Sequence, residues 1–233
     1  TYPITRTAVG QAIGSFYGFK TNGIFQNQAE VQAYTGVNGM IQPDAKPGDF
    51  RWVDLNSDGK IDQADRSFIG DPTPDVSFGL TLNADWKNFD ILVFGQGVSG
   101  NQIFQGLRRL DILNANWQSK ALNRWTGEGT SSTFPRLSID DANKNFSNPS
   151  DFYLEDGDYF RIKTLQIGYT LPGSLTSKAG IQRARIYVSS NNLVTFTRYT
   201  GFDPEIGTGG SYGIDRGIYP QSRSFLVGVN VGL

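Results

Sequence analysis

The segment DLNSDGKIDQAD, Asp54 to Asp65, places oxygen-bearing side chains at the spacing of a twelve-residue calcium loop. Asp54, Asn56 and Asp58 fall at loop positions 1, 3 and 5, and Gly59 falls at position 6, where the chain must reverse sharply. Lys60, at position 7, would contribute its backbone carbonyl. Asp62, at 9, would act directly or through water, and Asp65 stands at 12 in place of the usual Glu. Ca2+ takes six to eight hard oxygen ligands, and this spacing directs carboxylates and a carbonyl toward one point. The ion-free alternative is a run of Asx turns, because Asp and Asn bend the backbone unaided. The flanks FRWV and RSFIG carry no amphipathic helices, so the segment is expected to staple a long loop and not to act as a sensor switch.

Other reactive groups are scarce. Cys and His are absent, which excludes disulfides, thiol nucleophiles, Cys/His zinc sites and His-based triads. The adjacent carboxylates Asp140/Asp141 and Glu155/Asp156 have no convergent partner nearby and are expected to be solvated loop charges, so no enzyme activity is expected. GTGGSYG, Gly207 to Gly213, lacks the strand and helix of a phosphate loop and is expected to be a flexible loop. Trp117 and Trp125, in NANWQSKALNRWTG, have a spacing suited to stacking on sugar rings or to packing from a short amphipathic helix; packing is the preferred reading, as it is for Trp52 beside the acidic loop. Net charge is -1 with no basic run, so no nucleic-acid partner is expected.

These groups must be positioned by β-strands. Mean hydropathy is -0.35 and no apolar run is long enough for a membrane helix, whereas period-two alternation recurs in blocks. In VSFGLTLNADW, Val76 to Trp86, Phe78, Leu80, Leu82, Ala84 and Trp86 share one face, with Ser77, Gly79, Thr81, Asn83 and Asp85 on the other. FDILVFGQGVSGNQIF (Phe89 to Phe104) follows after Lys87 and Asn88 alone, the spacing of a tight hairpin. YFRIKTLQIGYTL (Tyr159 to Leu171) changes parity between Ile162 and Leu165, which predicts a bulge. RARIYVSSNNLVTF (Arg183 to Phe196), the terminal SFLVGVNVGL and an opening Gly- and aromatic-rich block from Val9 to Phe25 bring the expected strands to about six.

Links between these blocks run long (Gln26 to Asp75), short (Lys87-Asn88), long (Gln105 to Asp158), moderate (Pro172 to Ile181) and long (Thr197 to Gln221). Long and short links in alternation are the pattern of an outer-membrane barrel, with extracellular loops on one side and periplasmic turns on the other. Trp86 would then sit in an interfacial aromatic girdle, and Asp75, Asp85 and Asp90 would face the polar lumen or its rim. Soluble β-sandwiches also alternate, but with shorter strands and less regular links. Six strands cannot close in lipid. With no basic-then-apolar leader in TYPITRTAVG, the expectation is a piece of a larger barrel.

The run PGDFRWVDLNSDGKIDQADRSFIGDPTPDVSFGL (Pro47 to Leu80) resembles the C-terminal region of SusC/RagA-type TonB-dependent outer-membrane transporters. GSFYGFKTNGIFQNQAEV (Gly14 to Val31), NFDILVFGQGVSGNQIF (Asn88 to Phe104), RWT (Arg124 to Thr126) with PR (Pro135, Arg136), YLEDGDYFRIKTLQIGYTLP (Tyr153 to Pro172), NNLVTFTRYTGFDPE (Asn191 to Glu205) and the terminal SFLVGVNVGL extend the resemblance in order over nearly the whole chain. It implies an all-β chain: the last strands of a large antiparallel transmembrane barrel, with residues 26–75 as a long loop carrying the calcium-like segment 54–65. The family's plug domain, N-terminal domain and TonB box have no counterpart here. The resemblance further implies a bacterial outer-membrane nutrient importer of oligosaccharides or peptides, set in outer-membrane lipid, lidded by a SusD-like surface lipoprotein and driven by TonB through the plug. The competing reading is a secreted calcium-stabilised β-module that binds a glycan or a protein; a dockerin, its nearest analogue, needs two such loops.

Overall fold

Strands of opposite-faced character pair in sequence order when their links let them, and the second half of the chain does this. The computed structural model describes residues 3–112, 114–206 and 212–232. Within them the chain forms two compact units: Pro74–Asn101, Asp156–Glu205 and Ile218–Leu233 make a strand unit, and Thr1–Thr73, Gln102–Glu155 and Ile206–Gly217 make a loop unit.

The strand unit is an antiparallel meander of β1 (Val76–Trp86), β2 (Phe89–Ser99), β3 (Tyr159–Thr170), β4 (Arg183–Thr197) and β5 (Ser224–Gly232), in the sheet order β5-β4-β3-β2-β1. Sequence neighbours are sheet neighbours throughout. Lys87 adopts φ 55° in the two-residue turn, as a tight hairpin of this twist requires. The predicted bulge is present: Ile162 pairs with Gly95 and Thr164 with Phe94, leaving Lys163 unmatched on β3. Against β4 the excess lies on the other strand, where Asn192 and Leu193 fall between the partners Asn191 and Val194, and Asn192 takes φ 51°.

Register then sorts the faces. Phe78, Leu80, Leu82, Ala84 and Trp86 stand opposite Gly97, Gly95, Val93, Ile91 and Phe89 of β2. These continue across Phe160, Ile162, Leu165, Ile167 and Tyr169 of β3 and Phe196, Val194, Ser190, Val188 and Ile186 of β4. Phe225, Val227 and Val229 of β5 complete the row. One face of the sheet is therefore apolar from edge to edge.

The opening block differs from expectation. It forms no sixth long strand: Ser15–Gly18 and Thr21–Ile24 are short and pair within the loop unit, with Ser67–Gly70 and Phe50–Trp52 respectively. Gly23, at φ 78°, sits in a conformation that interrupts a regular strand of L-residues. The segments expected as long loops are folded. Phe16, Phe104, Leu110, Tyr153 and Ile214 make one buried cluster; Phe19, Ile24, Phe50 and Trp52 make a second; Ala121, Phe134 and Phe146 make a third. Residues Gly207 to Ser211 of the glycine-rich segment and the terminal Leu233 lie outside the described residues.

Candidate functional site

The acidic loop is wound on its own polar groups. Asp54 accepts the Asp58 and Gly59 N–H groups at 3.3 and 2.9 Å, Asn56 Oδ1 accepts the Asp58 N–H at 3.0 Å, and Asp58 accepts the Lys60 N–H at 3.2 Å. Gly59, at φ 84°, makes the reversal that its position predicts. Asp65 is wholly buried beneath the loop, accepting from Leu55 N–H at 2.9 Å and Asp62 N–H at 2.7 Å. Asp62 in turn accepts the Ala64 N–H and caps the short turn of helix at Gln63–Asp65. The Lys60 ammonium lies 2.7 Å from Asp62 and 3.8 Å from Asp58. That hydrogen bond to Lys60 holds the Asp62 carboxyl below the ordinary range and raises the Lys60 ammonium.

The donor types and the Gly59 geometry fit a hard cation. The side chains, however, converge on N–H groups and on the Lys60 ammonium; among the described residues no three acidic side chains form a ready ligand cluster. All six predicted residues, Asp54, Asn56, Asp58, Lys60, Asp62 and Asp65, are brought into this one loop, and the Asx-turn geometry is present alongside them.

Trp52 is buried with Phe19 and Phe50, packs against Ile61 of the loop and donates its indole N–H to the Asn143 carbonyl at 2.9 Å. Trp117 meets the Phe146 ring edge-on at 4.5 Å and carries the Arg108 guanidinium over its face. Trp125 donates to Gln26. All three pack, as expected. Asp141 does not match its expectation as a solvated charge. It is buried and accepts the Phe146 and Ser147 N–H groups, and burial pushes its carboxyl above the ordinary range. Glu155 is paired too, with Gln105 and Lys120.

The polar face of the sheet carries more than alternation alone indicates. Asp90 is held by the Arg185 guanidinium from two strands away, and Gly168 lies between them on β3, where any Cβ would collide with both. Asp85 pairs with Asp90 in register and shares that face. Toward the other end Arg161, 3% exposed, spreads its donors over Thr195, Glu205 and Asp203, and the Lys163 ammonium adds a second cation on Glu205. Asp203 also accepts the Gln221 N–H at 2.8 Å, so this network fastens the β4–β5 connection to β3. Strand parity predicts the face of Arg161, but nothing local in the sequence pairs it with Asp203.

On the apolar face, rings mark both ends. Phe78, Phe160 and Phe196 stack in a row at 6.0 and 6.5 Å, covering Gly95 and Gly97; at the turn end Phe89 meets Tyr169 at 4.7 Å, and Lys87 lies over Trp86.

No family model matches the chain. TonB-dependent receptor P3 of Formosa agariphila is 37% identical over 231 residues, 95% of this chain and 22% of that protein. TonB-dependent receptor SusC of Bacteroides thetaiotaomicron is 26% identical over 96% of this chain and 20% of its own length. Among solved structures, the RagAB peptide importer in its open-open state superposes with a TM-score of 0.69 at 23% identity, covering 94% of this chain and 22% of that one. The chain thus spans about a fifth of the length of the curated relatives it matches. In sequence and in fold, this chain belongs with the SusC/RagA-type TonB-dependent receptors, as a stretch equivalent to between a fifth and a quarter of one.

Proposed function

We propose that the chain is part of the barrel wall of a bacterial outer-membrane importer, taking up oligosaccharides or peptides with a SusD-like surface lipoprotein as lid. TonB would supply the energy through a plug domain lying outside these residues. The observation that supports this is the apolar face itself. β1 is roughly 33 Å long from Val76 to Trp86 at ~3.3 Å per residue. At a ~40° tilt it rises roughly 25 Å, the height of the lipid-facing band of such barrels. Aromatic rings bound that band at both ends, where interfacial girdles belong. The open edges at β1 and β5 would be satisfied by neighbouring strands of the same barrel.

On this reading the short Lys87-Asn88 turn is periplasmic, the loop unit is extracellular, and Arg161 with Asp203 and Glu205 faces the lumen. The acidic loop would take Ca2+ by drawing Asp58 and Asp62 away from Lys60, bracing the extracellular unit. Calorimetry on the full-length protein tests the ion: a calcium heat that vanishes in Asp54→Ala and Asp58→Ala is expected, and no heat in the wild type leaves the Asx turns alone. Transport is tested by uptake of labelled oligosaccharides and peptides into cells with and without the full-length protein. Loss of uptake on deletion, with the protein in the detergent phase and a surface lipoprotein copurifying, is expected. A full-length protein that partitions into the aqueous phase would move the assignment to the secreted β-module.

A further inference from the structure

Beside the acidic loop, the loop unit encloses a cleft of about 260 Å³. Phe19, Ile41 and Ile61 form its apolar walls, and Asp44 and Lys144 stand at its rim. Asn148 also lines it and is only 5% exposed, yet its carboxamide has no hydrogen-bond partner among the described residues. The neighbouring carboxamides are all committed. Gln42 donates to Phe50 O and accepts from Trp52 N–H, Asn143 donates to Phe50 O, and Asn145 accepts from Phe50 N–H. Asn148 is nearly buried as a residue, but its amide atoms still reach solvent in the cleft; among satisfied neighbours it is the carboxamide free to meet a ligand there.

We infer that this cleft binds one uncharged, polyhydroxylated ring, a neutral sugar residue, with Asn148 donating to one hydroxyl and accepting from the next. Its size lies just under the ~300 Å³ at which drug-sized pockets begin, so it suits a single ring. A carboxamide carries donor and acceptor side by side, as vicinal hydroxyls do. The lining lysines Lys60 and Lys144 balance Asp44 and Asp62, so the cleft has no net formal charge to select an ion. A peptide added as a strand would need a free edge, and the edge at Phe50–Trp52 is already closed by Gln42, Asn143 and Asn145. The inference rests on the importer reading for the sugar's purpose, not for its binding.

Saturation-transfer NMR on the detergent-solubilised full-length protein tests it, with methyl β-glucoside, methyl β-galactoside and methyl α-mannoside as sugar probes and N-acetylalanine methylamide as the peptide probe. Transfer to the ring protons of at least one glycoside is expected, weakened about tenfold in Asn148→Ala. If tryptophan fluorescence shows that this variant disturbs the loop unit, Asp44→Asn, at the exposed rim, is read instead and must weaken the same glycoside. No glycoside signal, a signal that neither variant moves, or a methylamide signal that Asn148→Ala abolishes overturns the inference. Glycoside binding without uptake by cells would sink the importer reading alone, and uptake without glycoside binding would sink the cleft alone.

Discussion

Phe225 is 73% exposed and Phe16 is not exposed at all, although both are phenylalanines in β-strands of one chain. The difference lies in what each strand is given to pack on. Phe16 belongs to the loop unit, which closes on aromatic clusters of its own and satisfies its strands within short pairings. Phe225 belongs to a sheet whose apolar face leaves Leu80, Leu82, Ile167, Val188, Val227 and Val229 exposed as well. Apolar surface on that scale is not stable in water and marks an interaction surface. The same amino acids therefore report two solvents. In the loop unit they record burial against protein, and on the sheet they record a medium that protein does not supply.

The largest test of that contrast is to remove a ring from the buried side. Trp52→Ala should cost the loop unit about 3–5 kcal/mol, the range for deleting a large aromatic from a core. It would also free the Asn143 carbonyl that the indole N–H holds. Near-ultraviolet circular dichroism of the full-length protein during denaturant unfolding reads the loss. The heat-modifiable gel mobility of the barrel should stay unchanged. Loss of both together would mean that the two units do not answer to separate cores.

On the sheet the informative change adds a charge. Leu82→Arg, at the middle of the apolar band, should destabilise the barrel by about 2–4 kcal/mol in lipid vesicles. Thr81→Arg, one residue away and on the other face, should stay within about 0.5 kcal/mol, as an exposed polar site does. Equal and small effects at both positions would show that the face meets water, and the membrane assignment would fail.

How much of this the sequence discloses follows the same division. Period-two alternation is local, so the amino-acid pattern by itself delimits β1 from Val76 to Trp86 and marks the parity change around Lys163 as a bulge. The loop unit is held by contacts between residues far apart in the chain: Phe19 N–H to Pro149 O, Thr21 to Asp151, Arg136 to Asp49. Nothing in the neighbourhood of Phe19 announces Pro149, so the block from Val9 to Phe25 looks like a long strand when read alone. In the acidic loop, spacing discloses the turns and Gly59, because both are local. It does not disclose that Lys60 pairs with Asp62, or that Asp65 is buried. Asp141 fails for the same reason as Phe19, since its burial is set by the fold of residues 141–150 onto distant partners.

A smaller effect is expected within the sheet itself, where a ring covers a glycine. Gly95 faces the apolar side of β2, and a Cβ there would strike the Phe160 ring. Gly95→Ala should cost about 1–3 kcal/mol through overpacking, and Phe160→Leu in the same molecule should recover part of it. A double-mutant cycle in vesicles isolates that coupling. Additive losses would mean that the ring does not lie on the glycine.

The smallest effect separates the units by pH. Burial raises the Asp141 carboxyl above its ordinary value of 3.8, with the Ser147 and Phe146 hydrogen bonds opposing that rise. A carboxyl raised on folding binds its proton more tightly in the folded state. Its contribution to stability is therefore complete below the ordinary value and is lost as pH rises through the shifted one. Asp141→Asn keeps an acceptor for the Phe146 and Ser147 N–H groups and cannot ionise. Relative to wild type, this variant should gain stability as pH rises from about 4 toward neutrality, in the loop-unit transition alone. Thermal melts of both proteins across that window measure the gain. A difference that stays flat with pH would mean that Asp141 ionises as freely in the fold as in water, and a difference that appears in the sheet would mean that the loop unit's charges are not its own.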